Sequence, residues 1–168
     1  MEKKFILTDK FVINSFGIKL FQIKCTKSFK YAQKGDFGGY VEKEGNLDQK
    51  NDAWVSGNAR VFGNAWVSDN ARVSGDAWVS GNARVSGDAD IENDNEHCGF
   101  DGFGSCNRHT HAYMTKEKKV EIICGCFRGS IEEFEKKVEE THSGTVYEKQ
   151  YKSIINVIKI KFGLTDFT

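Results

Sequence analysis

"DAWVSGNARVFGNAWVSDNARVSGDAWVSGNARVSGDADI" runs from Asp52 to Ile91. Val55, Val61, Val67, Val73, Val79, Val85 and Ile91 recur at steps of six, and an alanine stands two residues before each, from Ala53 to Ala89. Residues two apart on a strand share a face. Each unit is therefore a three-residue strand, Ala-x-Val, with the alanine and the β-branched residue facing one way and x the other. The Ser-Gly-Asn or close variant that follows is made of residues that tolerate left-handed or tight-turn backbone, so each unit turns a corner there. Asp69 replaces the usual glycine at one corner and belongs to the same tolerant class. A strand this short cannot bury its valine alone, so the units must coil and stack into a solenoid.

The outward position reads Trp54, Arg60, Trp66, Arg72, Trp78, Arg84, Asp90, a period of twelve. Three units per coil return the chain after eighteen residues and place unlike side chains above one another. Trp54 then lies under Arg72, Arg60 under Trp78, Trp66 under Arg84 and Arg72 under Asp90. Two or four units per coil would stack like on like, and arginine on arginine repels. Stacked strands sit about 4.8 Å apart, a spacing at which a guanidinium covers an indole for roughly 0.5–2 kcal/mol. Two other accounts stay open: a twelve-residue duplication whose stacking is incidental, and a subunit interface built from Trp54, Arg60, Trp66, Arg72, Trp78 and Arg84, since both residue types suit interface cores.

Outside the repeat the pattern changes. "FVI" and "IKLFQIKC", separated by "NSFG", predict an N-terminal hairpin that covers the raw end of the solenoid. "ENDNEHCGFDGFGSCN" is polar and rich in glycine, which sets a boundary near residues 92–98. "RHTHAYMT" and "KVEIICGCF" predict a strand pair. "SIEEFEKKVEETH" predicts a helix capped by Ser130 and Glu133, and "GTVYEKQYKSIINVIKIKFG" a second one stopped at Gly163.

The unit Val55-Ser56-Gly57-Asn58-Ala59-Arg60 resembles the hexapeptide-repeat family: aliphatic, small, two variable residues, small, variable. Val41 and Leu47 extend the match upstream, with a two-residue insertion before Ala53 that breaks the phase. With the "GDFGGYVE" lead-in at 35–42 and a tail carrying "GSCNRHT" and "CGCFRGSIEEF", the whole order is similar to hexapeptide-repeat proteins of bacteriophage and prophage genomes. The resemblance implies a mainly β fold. It is a short left-handed parallel β-helix (35–91) with an N-terminal β cap (1–34) and a C-terminal β-β-α-α domain (92–168). It also implies a homo-oligomer, trimers being common in that family, and host-cell cytoplasm as the location.

Composition narrows the function. The 168 residues carry a formal net charge of zero, which argues against a bulk grip on nucleic acid or anionic membrane. No apolar run approaches the roughly 20 residues that span a bilayer, and "MEKKFILTDKF" lacks the apolar core of a signal peptide. Five cysteines in a chain expected to be cytoplasmic read as free thiols or metal ligands before disulfides.

Four kinds of site compete. Acyltransferases of the resembled family use a histidine in or beside the coils, but His97, His109, His111 and His142 all lie outside this repeat. A metal would draw on Cys98, Cys106, His109, His111, Cys124 and Cys126, although their spacing is not that of a zinc ribbon. An anion or nucleotide site would use Ser105, Asn107, Arg108 and Thr110 from a glycine-rich loop, with Arg128, Gly129 and Ser130 at a helix N-terminus. A protein-blocking role would use the outer Trp and Arg side chains. The expectation is a binding protein with no catalysis, cofactor or metal. It sequesters a nucleotide-like anion or, alternatively, blocks a host defence protein, a phage counter-defence role in either case.

Overall fold

The computed structural model describes residues 2–165, divided between two units, Met1–Asp94 and Asn95–Thr168. The first opens with an antiparallel hairpin of β1 (Phe5–Ile13) and β2 (Lys19–Cys25). Asn14 closes its turn by accepting from the Phe16 and Ile18 amides at 3.0 and 2.9 Å. β3 (Phe37–Val41) follows, then seven two-residue strands: β4 (Trp54–Val55), β5 (Arg60–Val61), β6 (Trp66–Val67), β7 (Arg72–Val73), β8 (Trp78–Val79), β9 (Arg84–Val85) and β10 (Asp90–Ile91).

The strands register in parallel at eighteen-residue intervals: Trp54 with Arg72, Arg72 with Asp90, Arg60 with Trp78, and Trp66 with Arg84. That makes three strands per coil and three sheets, ordered β1-β2-β3-β5-β8, β10-β7-β4 and β6-β9. The six valines of the strands and Ile91 are all fully buried, and the repeat alanines fill the space beside them. Each valine so buried contributes about 1.5–3 kcal/mol over an exposed one. The corners are left-handed as the residue types require, including Asp69 with φ of 56°. The Asp69 carboxylate also accepts from the Gly87 amide one coil on, at 3.1 Å.

The phase break is visible in the register. Val41 pairs with Val61 and Leu47 bridges to Val67, twenty residues on in both cases, where Val55 pairs with Val73 after eighteen. Lys4 secures the two extra residues. Its Nζ donates to the carbonyls of Lys50, Asn51 and Ala53 at 3.1, 3.2 and 2.7 Å. Gln49 accepts from the Lys4 amide at 2.8 Å and donates to the Phe5 carbonyl at 3.1 Å. Burial lowers the Lys4 pKa to about 8.

The alternation stacks at two rungs. The Arg60 guanidinium carbon lies 4.8 Å from the Trp78 ring and that of Arg84 lies 5.8 Å from the Trp66 ring. At the third, Trp54 is buried against Phe29, edge to face at 5.4 Å, while Arg72 approaches Asp90 and Glu92 at 3.6 and 3.8 Å. Trp54 therefore offers almost no surface, although it shares the outward position of the repeat.

The second unit is an antiparallel sheet in chain order, β11 (His97–Phe103), β12 (Arg108–Met114), β13 (Val120–Cys124) and β14 (Phe127–Ser130), followed by α1 (Ile131–His142) and α2 (Val146–Lys161). Four strands stand where the sequence predicts two. β11 and β14 carry Gly99, Gly102 and Gly129, which weaken strand propensity, and they form only as edges against β12 and β13. Ser130 and Glu133 make the capping box, at 3.2 and 2.8 Å. Past α2 the Leu164 amide reaches the Lys159 carbonyl at 2.8 Å with Gly163 at φ of 66°, which stops the helix. Ala112, Ile122, Ile131, Phe134, Val138, Ile154, Ile155 and Ile158 form the core. No helix among the described residues is long and apolar enough to cross a membrane.

Candidate ligand-binding site

Two turns stand at one end of this sheet, β11 to β12 across 104–107 and β13 to β14 across 125–126, because Thr110 on β12 pairs with both Phe100 and Cys124. Gly104 has φ of 73°, and a Cβ there would overlap the Tyr151 hydroxyl. Its amide donates to Gln150 at 3.0 Å. Only glycine lets α2 bring Tyr151 against this turn. Gly125, with φ of 62°, has the Arg108 side chain laid over it, so that a Cβ would meet Nη1 at 2.6 Å. Along α1, Phe134, Lys137, Val138 and Thr141 fall at the spacing of one helix face.

These elements enclose a cleft of about 280 Å³. Phe127, Phe134, Val138 and Tyr151 supply its apolar and aromatic surface, Arg108 and Lys137 its fixed positive charge, and among the described residues no carboxylate lines it. Phe134 meets Tyr151 edge to face at 5.6 Å, and His142 stacks on Tyr151 at 5.5 Å. Burial raises the Tyr151 pKa, helped by the hydroxyl's contact with the Cys124 thiol at 3.7 Å, so the phenol stays neutral and can donate. Lys137 lies 3.7 Å from the exposed Glu140 carboxylate. Exposed cations beside an aromatic surface suit an anion with a flat apolar body.

The residues expected from sequence divide. Arg108 lines the cleft. Ser105 and Asn107 belong to the turn before it, Asn107 at φ of 48°. Thr110 is buried, its hydroxyl donating to Cys124 Sγ at 3.3 Å. Arg128 donates to Glu121 at 2.5 Å. Gly129 sits against Glu133, whose Oε2 would lie 2.5 Å from an added Cβ. Ser130 is occupied as the cap and borders a second cleft of about 300 Å³ that also holds Glu132. Hydrogen bonds at this helix start hold the Glu132 carboxyl below its usual range, so the protein's own acids take the place an anion would fill. The sequence pattern does not single out Lys137, His142 and Tyr151 as ligand-binding residues, though the helical spacing of Phe134, Lys137, Val138 and Thr141 carries a signal.

The candidate metal ligands also separate. Cys124 is buried beside Thr110, Cys98 is half-buried with its pKa pushed up to about 11 by burial, and Cys106 and Cys126 are exposed. Three of the four histidines gather without them. His97 Nδ1 and His111 Nε2 stand 3.2 Å apart, and His109 Nδ1 lies 2.8 Å from Asp101. Among the described residues no group of three or more His, Cys, Asp or Glu is arranged to hold a metal ion.

A family model, the YdcK beta solenoid repeat, matches residues 53–69 and 65–81. The chain is a β-solenoid repeat protein. No curated protein matches it. The solenoid match ends well before Arg108, so it accounts for the coils and for none of the cleft.

Proposed function

We propose that this β-solenoid protein is a binding module without catalysis, and that its cleft takes a small anion with a flat apolar body, of which a nucleotide is the natural class. The observation that carries the proposal is Arg108 and Lys137 beside Phe127, Phe134 and Tyr151 with no carboxylate among the lining residues. The resemblance to hexapeptide-repeat proteins of phages supports the rest. The coil is left-handed, the assembly a homo-oligomer with three copies favoured, and the role the sequestration of a nucleotide signal of host defence in the host cytoplasm. Calorimetry and native mass spectrometry against a panel of nucleotides test it. Stoichiometric binding is expected, with the ligand recovered unaltered. The Arg108→Ala and Lys137→Ala double variant is expected to bind at least about tenfold more weakly, since each charged hydrogen bond contributes roughly 1.5–3 kcal/mol. A product peak in the recovered ligand sinks the non-catalytic part, and an unaffected double variant sinks the cleft.

A second use, blocking a host protein, is favoured by Trp66, which is 39% exposed beside Arg84. A pull-down that recovers one host polypeptide with the native chain and loses it with Trp66→Ala would support this use over the nucleotide one.

A further inference from the structure

The cleft of the second unit also limits how large an occupant it holds. Its volume of about 280 Å³ lies just below the roughly 300–1,000 Å³ of pockets that enclose drug-sized ligands. Its ring surface is limited too. Phe134 and Tyr151 are 3% and 5% exposed, and other rings already cover them. Phe127 lies 5.0 Å from Phe134, and His142 stacks 5.5 Å from Tyr151 at an interplanar angle of 28°. Phe134 and Tyr151 thus form a floor. Phe127, which opens β14, and His142, which closes α1, are half-buried and keep ring surface in the cleft. One flat base finds ring partners there. A second base finds the other rings of the lining already covered.

Charge sets a second limit. Arg108 and Lys137 are the fixed cations of the lining, and among the described residues no carboxylate joins them. A sphere of the cleft's volume is on the order of 8 Å across, about one screening length at physiological ionic strength, so both cations act on an anion held inside. Glu140 does not cancel Lys137, because an exposed ion pair at 3.7 Å is weak. Two positive charges match a phosphomonoester, which carries about −1.5 to −2 near neutral pH. A phosphodiester, with a single charge, leaves one cation of the cleft uncompensated. A free nucleoside monophosphate and the phosphorylated end of a strand share the monoester chemistry. Space for one unit favours the free molecule.

We propose that the cleft holds a single nucleotide unit bearing a phosphomonoester, a nucleoside monophosphate, with its base on Phe127 and His142 and its phosphate at Arg108 and Lys137. This rests on the cleft being the anion site proposed above. The test is calorimetry of the full chain with the common ribonucleoside 5′-monophosphates. The best binder is then compared with its nucleoside, inorganic phosphate, its 3′,5′-cyclic monophosphate, a cyclic dinucleotide and a 5′-phosphorylated dinucleotide of the same base. Stoichiometric binding of a monophosphate is expected. Each of the other probes is expected to bind at least about tenfold more weakly, for want of the base, of a phosphate charge or of room. His142→Ala should weaken the monophosphate about tenfold, and Phe127→Leu similarly while keeping an apolar side chain against Phe134. Should Phe127→Leu lose its circular dichroism signature, His142→Ala, at the end of its helix, carries the test. Equal affinity for either dinucleotide overturns the single-unit limit, and equal affinity for the cyclic monophosphate overturns the monoester. Both results leave the anion site standing, provided that the Arg108→Ala and Lys137→Ala double variant still loses binding. His142→Ala binding like the native chain overturns the placement of the base. No binding of any nucleotide overturns this inference together with the reading of the cleft on which it rests.

Discussion

In the solenoid, the partner of almost any residue is found eighteen positions further on: Val55 meets Val73, Asn58 meets Asp76, Trp66 meets Arg84. In the second unit, Gly104 meets Tyr151, Arg108 lies across Gly125, and Thr110 bonds Cys124. Those intervals share no number. A periodic contact writes itself into the chain as a repeat and is duplicated wherever the repeat runs. A cleft with one arginine, one lysine and one buried tyrosine has to be assembled from positions released from any period. The repeat is good at making a core and poor at making a unique constellation, which is why the cleft lies outside it.

The sharpest break of this contrast lies inside the repeat. If every corner were equivalent, Gly75→Ala and Gly81→Ala would cost the same. Both glycines are left-handed, at φ of 59° and 64°. Nothing lies within 4 Å of a Cβ added at Gly81, whereas one at Gly75 would overlap the Glu92 carbonyl. Gly81→Ala should therefore cost about 1–2 kcal/mol, the strain of left-handed backbone with a side chain. Gly75→Ala should cost about 3 kcal/mol or more, because backbone must also move. Denaturant titration of the two variants measures the gap, and equal midpoints would show that the coils tolerate displacement where the chain leaves the solenoid.

Gly104→Ala probes the aperiodic side. Its Cβ would overlap the Tyr151 hydroxyl, and the expected loss is about 2–3 kcal/mol, together with loss of ligand binding in the cleft. Removing the hydroxyl by Tyr151→Phe in the same chain should restore roughly 1 kcal/mol, a coupling read from a double-mutant cycle of unfolding free energies. Additive losses would mean that the turn and the tyrosine do not set one another's position.

What could be read from the chain follows the same division. Six-residue steps of valine, the left-handed corner at Asp69, the two-residue slip before Ala53 and the Ser130 cap are local or periodic, and each has a residue signature. Lys4 has none. A basic residue near the N-terminus acquires its role only when the chain folds back to place Ala53 within reach, forty-nine positions away. Trp54 looked like Trp66 and Trp78, yet Phe29 covers it, and nothing in the repeat announces that. β11 and β14 were hidden for another reason: their glycines make them poor strands alone, and their neighbours make them strands. Lys137 and Tyr151 became visible as cleft residues only once two helices had been set against two turns.

Lys4 offers a smaller, pH-dependent test. Burial lowers its pKa from 10.5 to about 8 in the folded chain. Between those values the unfolded chain holds a proton that the folded chain has released. Stability attributable to Lys4 should therefore rise as pH climbs from about 8 to 10.5 and be lost as pH falls back through 8. The side chain is buried, and the gain is on the order of 1 kcal/mol or more. The midpoint difference between neutral and strongly alkaline buffer, native chain minus Lys4→Met, isolates it. A rise that persists in Lys4→Met would belong to another group.

The least costly experiment concerns the alternation of Trp and Arg, where the three rungs disagree with one another. Double-mutant cycles to alanine at Arg60–Trp78 and Arg84–Trp66 should return couplings of about 0.5–1 kcal/mol, as expected for cation–π contacts with solvent access. The Trp54–Arg72 cycle should return close to zero. The Trp54 ring is engaged by Phe29, and Arg72 is drawn toward Asp90 and Glu92, although strand pairing puts the two residues side by side. This third rung separates the two origins of the pattern. If pairing alone made the contact, all three cycles would agree. If duplication alone made the sequence and stacking were incidental, all three would vanish. A split result would show that the twelve-residue period brings unlike side chains together at every rung, and that whatever else each pair touches decides whether they bind.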